Sequence, residues 1–188
     1  MLDEAEIKAL AQQLGEPVWQ RVDCDMGYDL FMTRFLRARD RRGEVVLVLE
    51  RGDGRILLHR KAHYDADHFR LLTGGIQPDE PVLAAALREA AEETGLAVTP
   101  VRFLAVLDTT LHFDHIPIPF TSCLLHLRAT GGELRAPMDG EVAEFSCCTA
   151  AELPSVAATL RAIPGERGYW GRWRAVAHDV AAACLNQS

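Results

Sequence analysis

An α/β fold, with a mixed sheet packed between helices, is what this sequence predicts, and three observations predict it. Glu44–Glu50 (EVVLVLE) is a short apolar run rich in β-branched residues, the pattern of a buried strand. The Asp53-Gly54 pair after it is a strong hairpin signal and feeds a second strand, Arg55–Lys61. Residues 81–94 then switch to helical spacing, with Leu83, Ala86, Leu87, Ala90 and Thr94 on one face. Strand and helix patterns alternating in this way pack as layers around one core.

The remaining elements follow in chain order. Asp3 and Glu6 form a capping-box-like start for a helix whose stripe is Ile7, Leu10, Ala11 and Leu14, ended by Gly15 and Pro17. Val18–Asp23 and Leu30–Ala38 are expected as two strands of a hairpin turned near Met26-Gly27-Tyr28. A strand over Phe69–Thr73 and a turn at Gly74-Gly75 lead into the central helix, which Pro81 opens and Gly95 stops in a left-handed conformation. Strands near Val101–Asp108 and Phe120–Arg128 flank a loop, His112–Pro119. Glu144–Cys148 is a late strand, with Cys147 and Cys148 on opposite faces. Ala150–Ile163 is a helix interrupted near Pro154. In the terminal helix, Trp170–Leu185, a stripe of Trp170, Trp173, Ala177, Val180 and Cys184 reads as core.

The central helix carries the chemistry. At about 100° per residue, Glu89, Glu92 and Glu93 fall within an arc of roughly 100°. Like charges at such spacing repel by about 0.2–0.5 kcal/mol per pair. A solvated face tolerates that repulsion. A hard divalent cation turns it into a binding site, because Mg²⁺ takes carboxylate oxygens together with water and substrate phosphates. Arg88 is not a metal ligand; its planar fork suits it to holding Glu89 or a loop carboxylate in place.

Gly74, five residues, Glu80, seven residues, Arg88-Glu89, two residues, Glu92-Glu93, one residue and Gly95-Leu96 match the pattern GX5EX7REUXEEXGU at all seven fixed positions. At roughly 7 % usage per residue type, such a match arises by chance on the order of once in 10⁸ windows. The segment therefore resembles the Nudix box. Two departures stand out. The five-residue gap counts from the first glycine of the pair rather than the second, which shortens the loop by one residue, and Ala90 occupies a position that usually holds a larger aliphatic side chain.

The resemblance implies a Nudix-type α/β/α sandwich. Such a domain needs only about the span from Glu44 to Leu153, so residues 1–43 are expected as an N-terminal extension of helix plus hairpin, and 44–188 as the domain with its C-terminal helix. The implied activity is Mg²⁺-dependent, or Mn²⁺-dependent, hydrolysis of the pyrophosphate bond in a nucleoside diphosphate linked to another moiety. ADP-ribose, dinucleoside polyphosphates, nucleoside triphosphates and sugar nucleotides all belong to that class. By the same resemblance Glu92 and Glu93 are core metal ligands, Glu89 is a third ligand or the base, Glu80 supports the cluster, and Gly74 offers a carbonyl. The base lies either on the helix, as Glu89, or on a later loop, where Glu141 and Glu144 are the candidates. Arg55, Arg60, Lys61 and Arg70 line strands near the box and are candidates for phosphate. Phe113, 18 residues past Gly95, either stacks on a base or packs onto its own domain. His112 and His115 read as surface residues, since no third ligand is spaced with them.

Composition narrows the alternatives. A formal net charge of −7 excludes broad binding to nucleic acid, which needs a basic surface. Five scattered cysteines without a CxxC pair give neither a disulfide framework nor a zinc site, and with no signal-peptide pattern a reducing cytoplasm is expected. A non-catalytic Nudix-like binding or regulatory domain is the alternative to the hydrolase, although such domains usually lose the glutamates that are intact here. The isomerase branch of the fold requires a cysteine close upstream of the box, and Cys24 is the only upstream cysteine. Additions such as residues 1–43 often cover the substrate or join two copies, so a homodimer is expected.

Overall fold

The computed structural model describes residues 2–37, 41–64, 67–137, 140 and 142–186, the side chains of 33–37 excepted. Its elements in order are α1 (Glu4–Leu14), β1 (Val18–Asp25), α2 (Tyr28–Arg37), β2 (Gly43–Glu50), β3 (Ile56–Lys61), β4 (Leu72–Ile76), α3 (Val82–Thr94), β5 (Leu96–Phe113), β6 (Ile116–Gly132) and β7 (Val142–Cys148). A short 3₁₀ turn, Ala150–Glu152, precedes α4 (Leu153–Arg161) and α5 (Arg167–Leu185). Seven strands form one mixed sheet in the order β1-β5-β6-β2-β3-β7, with β4 paired to β2. The β1–β5 and β2–β6 pairings are parallel, and the others are antiparallel.

The β2 strand shows why helices cover both faces. Val45, Leu47 and Leu49 pack with Ile7 and Leu10 of α1 and with Val82, Ala85, Ala86 and Ala90 of α3. Val46 and Val48, pointing the other way, pack with Ala177, Val180 and Ala181 of α5. Alternation along one apolar run thus builds an α/β/α sandwich. The small side chains on α3 let its axis lie close to the sheet, so its acidic edge is fixed relative to β4 and β3. Cys147 and Cys148 divide between the two faces, as alternation requires.

Three expectations need correction. Tyr28–Arg37 is a helix, not the second strand of a hairpin. The β1 strand is an edge strand, paired in parallel with β5, and the chain after it packs onto α5 instead of adding a strand at the free edge. Tyr28, Phe31, Met32 and Phe35 then suit helical spacing, with Leu30 and Phe31 packing near Trp173. The Asp29 amide donates to Glu166 Oε1 (3.2 Å), a carboxylate suited to the positive end of the helix. The expected loop His112–Pro119 is instead the tip of a long β5–β6 hairpin, turned at Asp114 (φ 53°) and His115. Pro117 and Pro119 are tolerated because they lie beyond Ser122, the first residue of β6 that pairs with β2. Finally, Gly74 and Gly75 are not a turn; they pair with Val45 and Glu44 inside β4.

Buried polar groups tie α5 to the sheet. Arg174 Nη1 donates to Glu44 Oε1 (2.6 Å), and both side chains are 4 % exposed. The Leu71 amide donates to His178 Nε2 (3.0 Å), while His178 Nδ1 faces the Arg174 carbonyl at 2.9 Å, which fixes a neutral ring with its proton on Nδ1. Burial holds the His178 pKa down at about 4. Protonation therefore favours the unfolded chain, and stability present above the ordinary histidine value near 6.5 is lost as pH falls toward 4. Lowering pH from 7 to 5 should cost about 2 kcal/mol through this residue alone. Denaturant titration should show that slope in the wild type and a flatter one in His178→Gln; equal slopes would remove the assignment. Among the described residues no helix is long and apolar enough to cross a membrane.

Candidate active site

The α3 helix starts after Pro81, whose φ of −62° and ψ of 145° hold it just outside the first turn, and stops at Gly95 with φ 72°. Its acidic edge borders a cleft of about 220 Å³ lined by Arg41, Lys61, Thr73, Gly74, Gly75, Glu89, Glu92, Glu93 and Pro137. Glu89, Glu92, Glu93 and Gly74, all expected from the sequence, are thus brought together at one opening.

Arg88 organises the cluster. Its Nε and Nη2 donate to the two oxygens of Glu80 (2.7 and 2.9 Å), Nη2 also donates to the Gly75 carbonyl (2.9 Å), and Nη1 reaches Glu89 and Glu92 (2.9 Å each). One guanidinium therefore joins the β4 strand, the loop before α3 and two turns of the helix. Its hydrogen bond to Glu80 holds that carboxyl below the usual range. Both Glu80 oxygens are committed, Oε2 also accepting from the Gln77 amide (3.2 Å), so Glu80 acts in this geometry by holding Arg88. Arg42 closes the same loop from the other side, pairing with both oxygens of Glu6 (2.9 and 3.2 Å) and donating to the Glu80 and Gln77 carbonyls. Glu6, expected as a capping-box partner within its own helix, instead accepts from the Val82 amide of α3 (2.8 Å).

The three helix acids differ in environment. The Glu92 side chain is 60 % exposed, Glu89 15 % and Glu93 12 %. Burial raises the Glu89 carboxyl above the usual carboxylate range, with Arg88 opposing the shift. Burial also raises Glu93, opposed by Lys61 and Arg70. Lys61 Nζ lies 3.5 Å from Glu93 Oε1. His59 Nδ1 lies 3.4 Å from Glu93 Oε2, but burial holds the histidine well below its ordinary pKa, so it is neutral and the contact is no ion pair. Among the described residues Glu93 Oε2 is buried with no hydrogen-bond partner. Also among them, no three His, Cys, Asp or Glu side chains already converge as a metal-holding group.

Gly74 is required by its neighbour: a Cβ there would overlap Cγ and Cδ of Glu89. Gly74→Ala should therefore displace Glu89 and lower turnover by roughly 10-fold or more, since small misplacements of reacting groups are costly. Far-ultraviolet circular dichroism should remain that of the wild type. A fully active Gly74→Ala variant would show that Glu89 need not sit where it does.

Other expected residues lie elsewhere. Arg70 is 3 % exposed, and its guanidinium donates to the Leu71 carbonyl (2.8 Å), Thr73 Oγ1 (2.9 Å) and the Tyr64 hydroxyl (3.3 Å). It underpins the cleft wall at Thr73 rather than lining the opening. Arg55 donates to the Cys147 carbonyl (2.7 Å) at the β3–β7 edge, and Phe113 stacks on Phe31 with centroids 4.1 Å apart. Neither is among the residues that line the cleft. Glu144 is exposed and pairs with Arg60 (3.1 Å), whereas Glu141 lies outside the described residues. Arg41 was not legible as a site residue. Its one signal is adjacency to Arg42 ahead of a strand, where alternation sends neighbours to opposite faces.

These features define a class. The sequence profile of the NUDIX domain matches residues 40–168, and the chain belongs to the Nudix family. It is 32 % identical over 124 residues to an NAD-capped RNA hydrolase, NudC, of Deinococcus radiodurans, a match covering 63 % of this chain and 41 % of that protein. It is 36 % identical over 73 residues to an RNA pyrophosphohydrolase of Dinoroseobacter shibae, covering 39 % of this chain and 46 % of the relative. The matches thus span less than half the length of either relative. The crystal structure of an ADP-ribose pyrophosphatase from Streptococcus suis superposes with a TM-score of 0.50 at 19 % identity, covering 77 % of this chain and 91 % of that one, a likeness of fold.

Proposed function

We propose that the protein is a divalent-metal-dependent pyrophosphohydrolase that cleaves the anhydride of a nucleoside diphosphate linked to another moiety. The observation that carries this reading is the acid cleft itself. Two carboxylates raised by burial and a third at the rim face one opening, and one of their oxygens, Glu93 Oε2, is buried without a hydrogen-bond partner among the described residues. An all-oxygen donor set of this kind fits Mg²⁺ or Mn²⁺. Glu92 and Glu93 would hold the ion, with the backbone of Gly74 beside them, which leaves Glu89 as the base. When bound, the ion lowers the pKa of water and neutralises charge on the phosphate oxygens.

The chain's own residues do the rest. Arg88 fixes the orientation of Glu89 and frees no oxygen of Glu80 for other work. Glu89, its carboxyl raised by burial, takes a proton from water. The water oxygen forms the new bond to phosphorus, the bridging P–O bond breaks, and its electron pair leaves with the departing phosphate. Lys61 at the cleft offers charge to that leaving group.

The relatives' names direct the assay. Protein with Mg²⁺ should be offered ADP-ribose, dinucleoside polyphosphates, nucleoside triphosphates, sugar nucleotides, and RNA carrying a 5′-triphosphate or an NAD cap. Turnover of any one, lost in Glu92→Gln and Glu93→Gln, supports the reading. Silence across the whole panel overturns it in favour of a binding domain.

A further inference from the structure

Two cationic side chains line the cleft, and one of them, Arg41, forms no ion pair within 4 Å among the described residues, its charge reaching Glu89 only at longer range. The contrast with its neighbour is direct. Arg42 is fully engaged, by Glu6 and by the Gln77 and Glu80 carbonyls, on the α1–α3 face. Arg41 points to the other side and is exposed, and no carboxylate of the described residues forms an ion pair with it. Its side chain lies over Gly75, where an added Cβ would come within 2.5 to 2.8 Å of its Cδ, Nε and Cζ. The glycine therefore opens a seat for a guanidinium at the wall of the acid cleft. A solvated arginine needs no such seat.

Charge indicates what the guanidinium meets there. Glu89, Glu92 and Glu93 repel a bare diphosphate, so its oxygens facing away from the acids need donors of the opposite sign. Thr73 lines the wall, but its hydroxyl, which accepts from Arg70, carries no positive charge. Pro137 offers no side-chain polar group. An arginine presents a planar fork that meets two phosphate oxygens at once, which a lysine does not.

We propose that Arg41 is a substrate-binding residue that grips phosphate oxygens of the diphosphate from the β4 wall of the cleft. This rests on the pyrophosphohydrolase reading above. The test uses methylenediphosphonate, a diphosphate that cannot be hydrolysed, titrated calorimetrically in Mg²⁺ into the full chain. Wild type, Arg41→Ala, Arg41→Lys and Arg128→Ala should be compared, together with KM for whichever panel substrate turns over. Arg128 pairs with Glu50 at the far end of β2, about 20 Å along the strand, and controls for the lost charge.

Arg41→Ala should weaken methylenediphosphonate and raise KM by roughly 10-fold or more, the loss typical of a charge-assisted pair. Arg41→Lys should fall between, and Arg128→Ala should match the wild type. Since Arg41 is exposed, the fold should survive, which circular dichroism checks. Wild-type turnover with an unchanged KM in Arg41→Ala overturns this inference and leaves the hydrolase standing. No binding and no turnover in the wild type removes both.

Discussion

Glu93→Gln is expected to lower turnover by about 10³-fold or more while leaving the protein at least as stable as the wild type. The two halves of that result have one cause. Glu93 is 12 % exposed, burial raises its carboxyl, and Oε2 has no hydrogen-bond partner among the described residues. An ionised carboxylate in that position is a cost to the folded chain, since desolvation disfavours charge. Lys61 at 3.5 Å offsets part of it, and the neutral His59 adds no opposing charge. Glutamine keeps the shape and removes the charge, so the melting temperature should hold or rise. The same charge is what a divalent cation would need, and loss of several kcal/mol of electrostatic stabilisation corresponds to three decades or more in rate. Thermal unfolding with and without Mg²⁺ separates the two effects. Added metal should raise the wild-type melting temperature and leave Glu93→Gln unmoved. A variant that keeps its activity, or gains the same stabilisation from Mg²⁺, would dismiss Glu93 from the site.

Much of this site was legible because its determinants are local. Glu89, Glu92 and Glu93 share one helix, so the 3.6-residue period alone puts them on one edge, and Gly95 fixes where that edge ends. Gly74 and Arg88 were legible by spacing, but their reasons were not. Overlap between Gly74 and Glu89, and the reach of Arg88 to the Gly75 carbonyl, are contacts between strand and helix. The EVVLVLE strand was read correctly because a run buried on both faces leaves little else for it to be. The segment after β1 was misread because its apolar residues fit either period, and the deciding contacts are distant: Leu30 and Phe31 pack near Trp173 of α5, more than 140 residues later. Arg41 and Arg55 show the same limit for charge. Arginine ahead of or along a strand could serve phosphate, a carboxylate or a backbone carbonyl, and only the fold gives Arg41 to the cleft and Arg55 to Cys147.

Arg88→Ala should have the second large effect, this time on stability and activity together. The guanidinium serves Glu80, Glu89, Glu92 and the Gly75 carbonyl at once, and its neighbours hold it firmly in the charged form. Removing it leaves Glu89 and Glu80, each 15 % exposed, without their main counter-charge. The Glu92 contact counts for little, because an exposed carboxylate is screened by water. Breaking one partner of such a partly buried set costs about 2–4 kcal/mol, which lowers the melting temperature by roughly 5–10 °C in a chain of this size. Turnover should fall by about 10²-fold, since Glu89, the base we propose, is no longer held. Arg88→Lys is the informative companion. A single ammonium can meet Glu80 or Glu89 but cannot span both and the Gly75 carbonyl, so it should recover part of the stability and little of the rate. If lysine restores both, a positive charge near the acids is all the site requires. If alanine changes neither, the four contacts made by Arg88 are incidental to the cleft they surround.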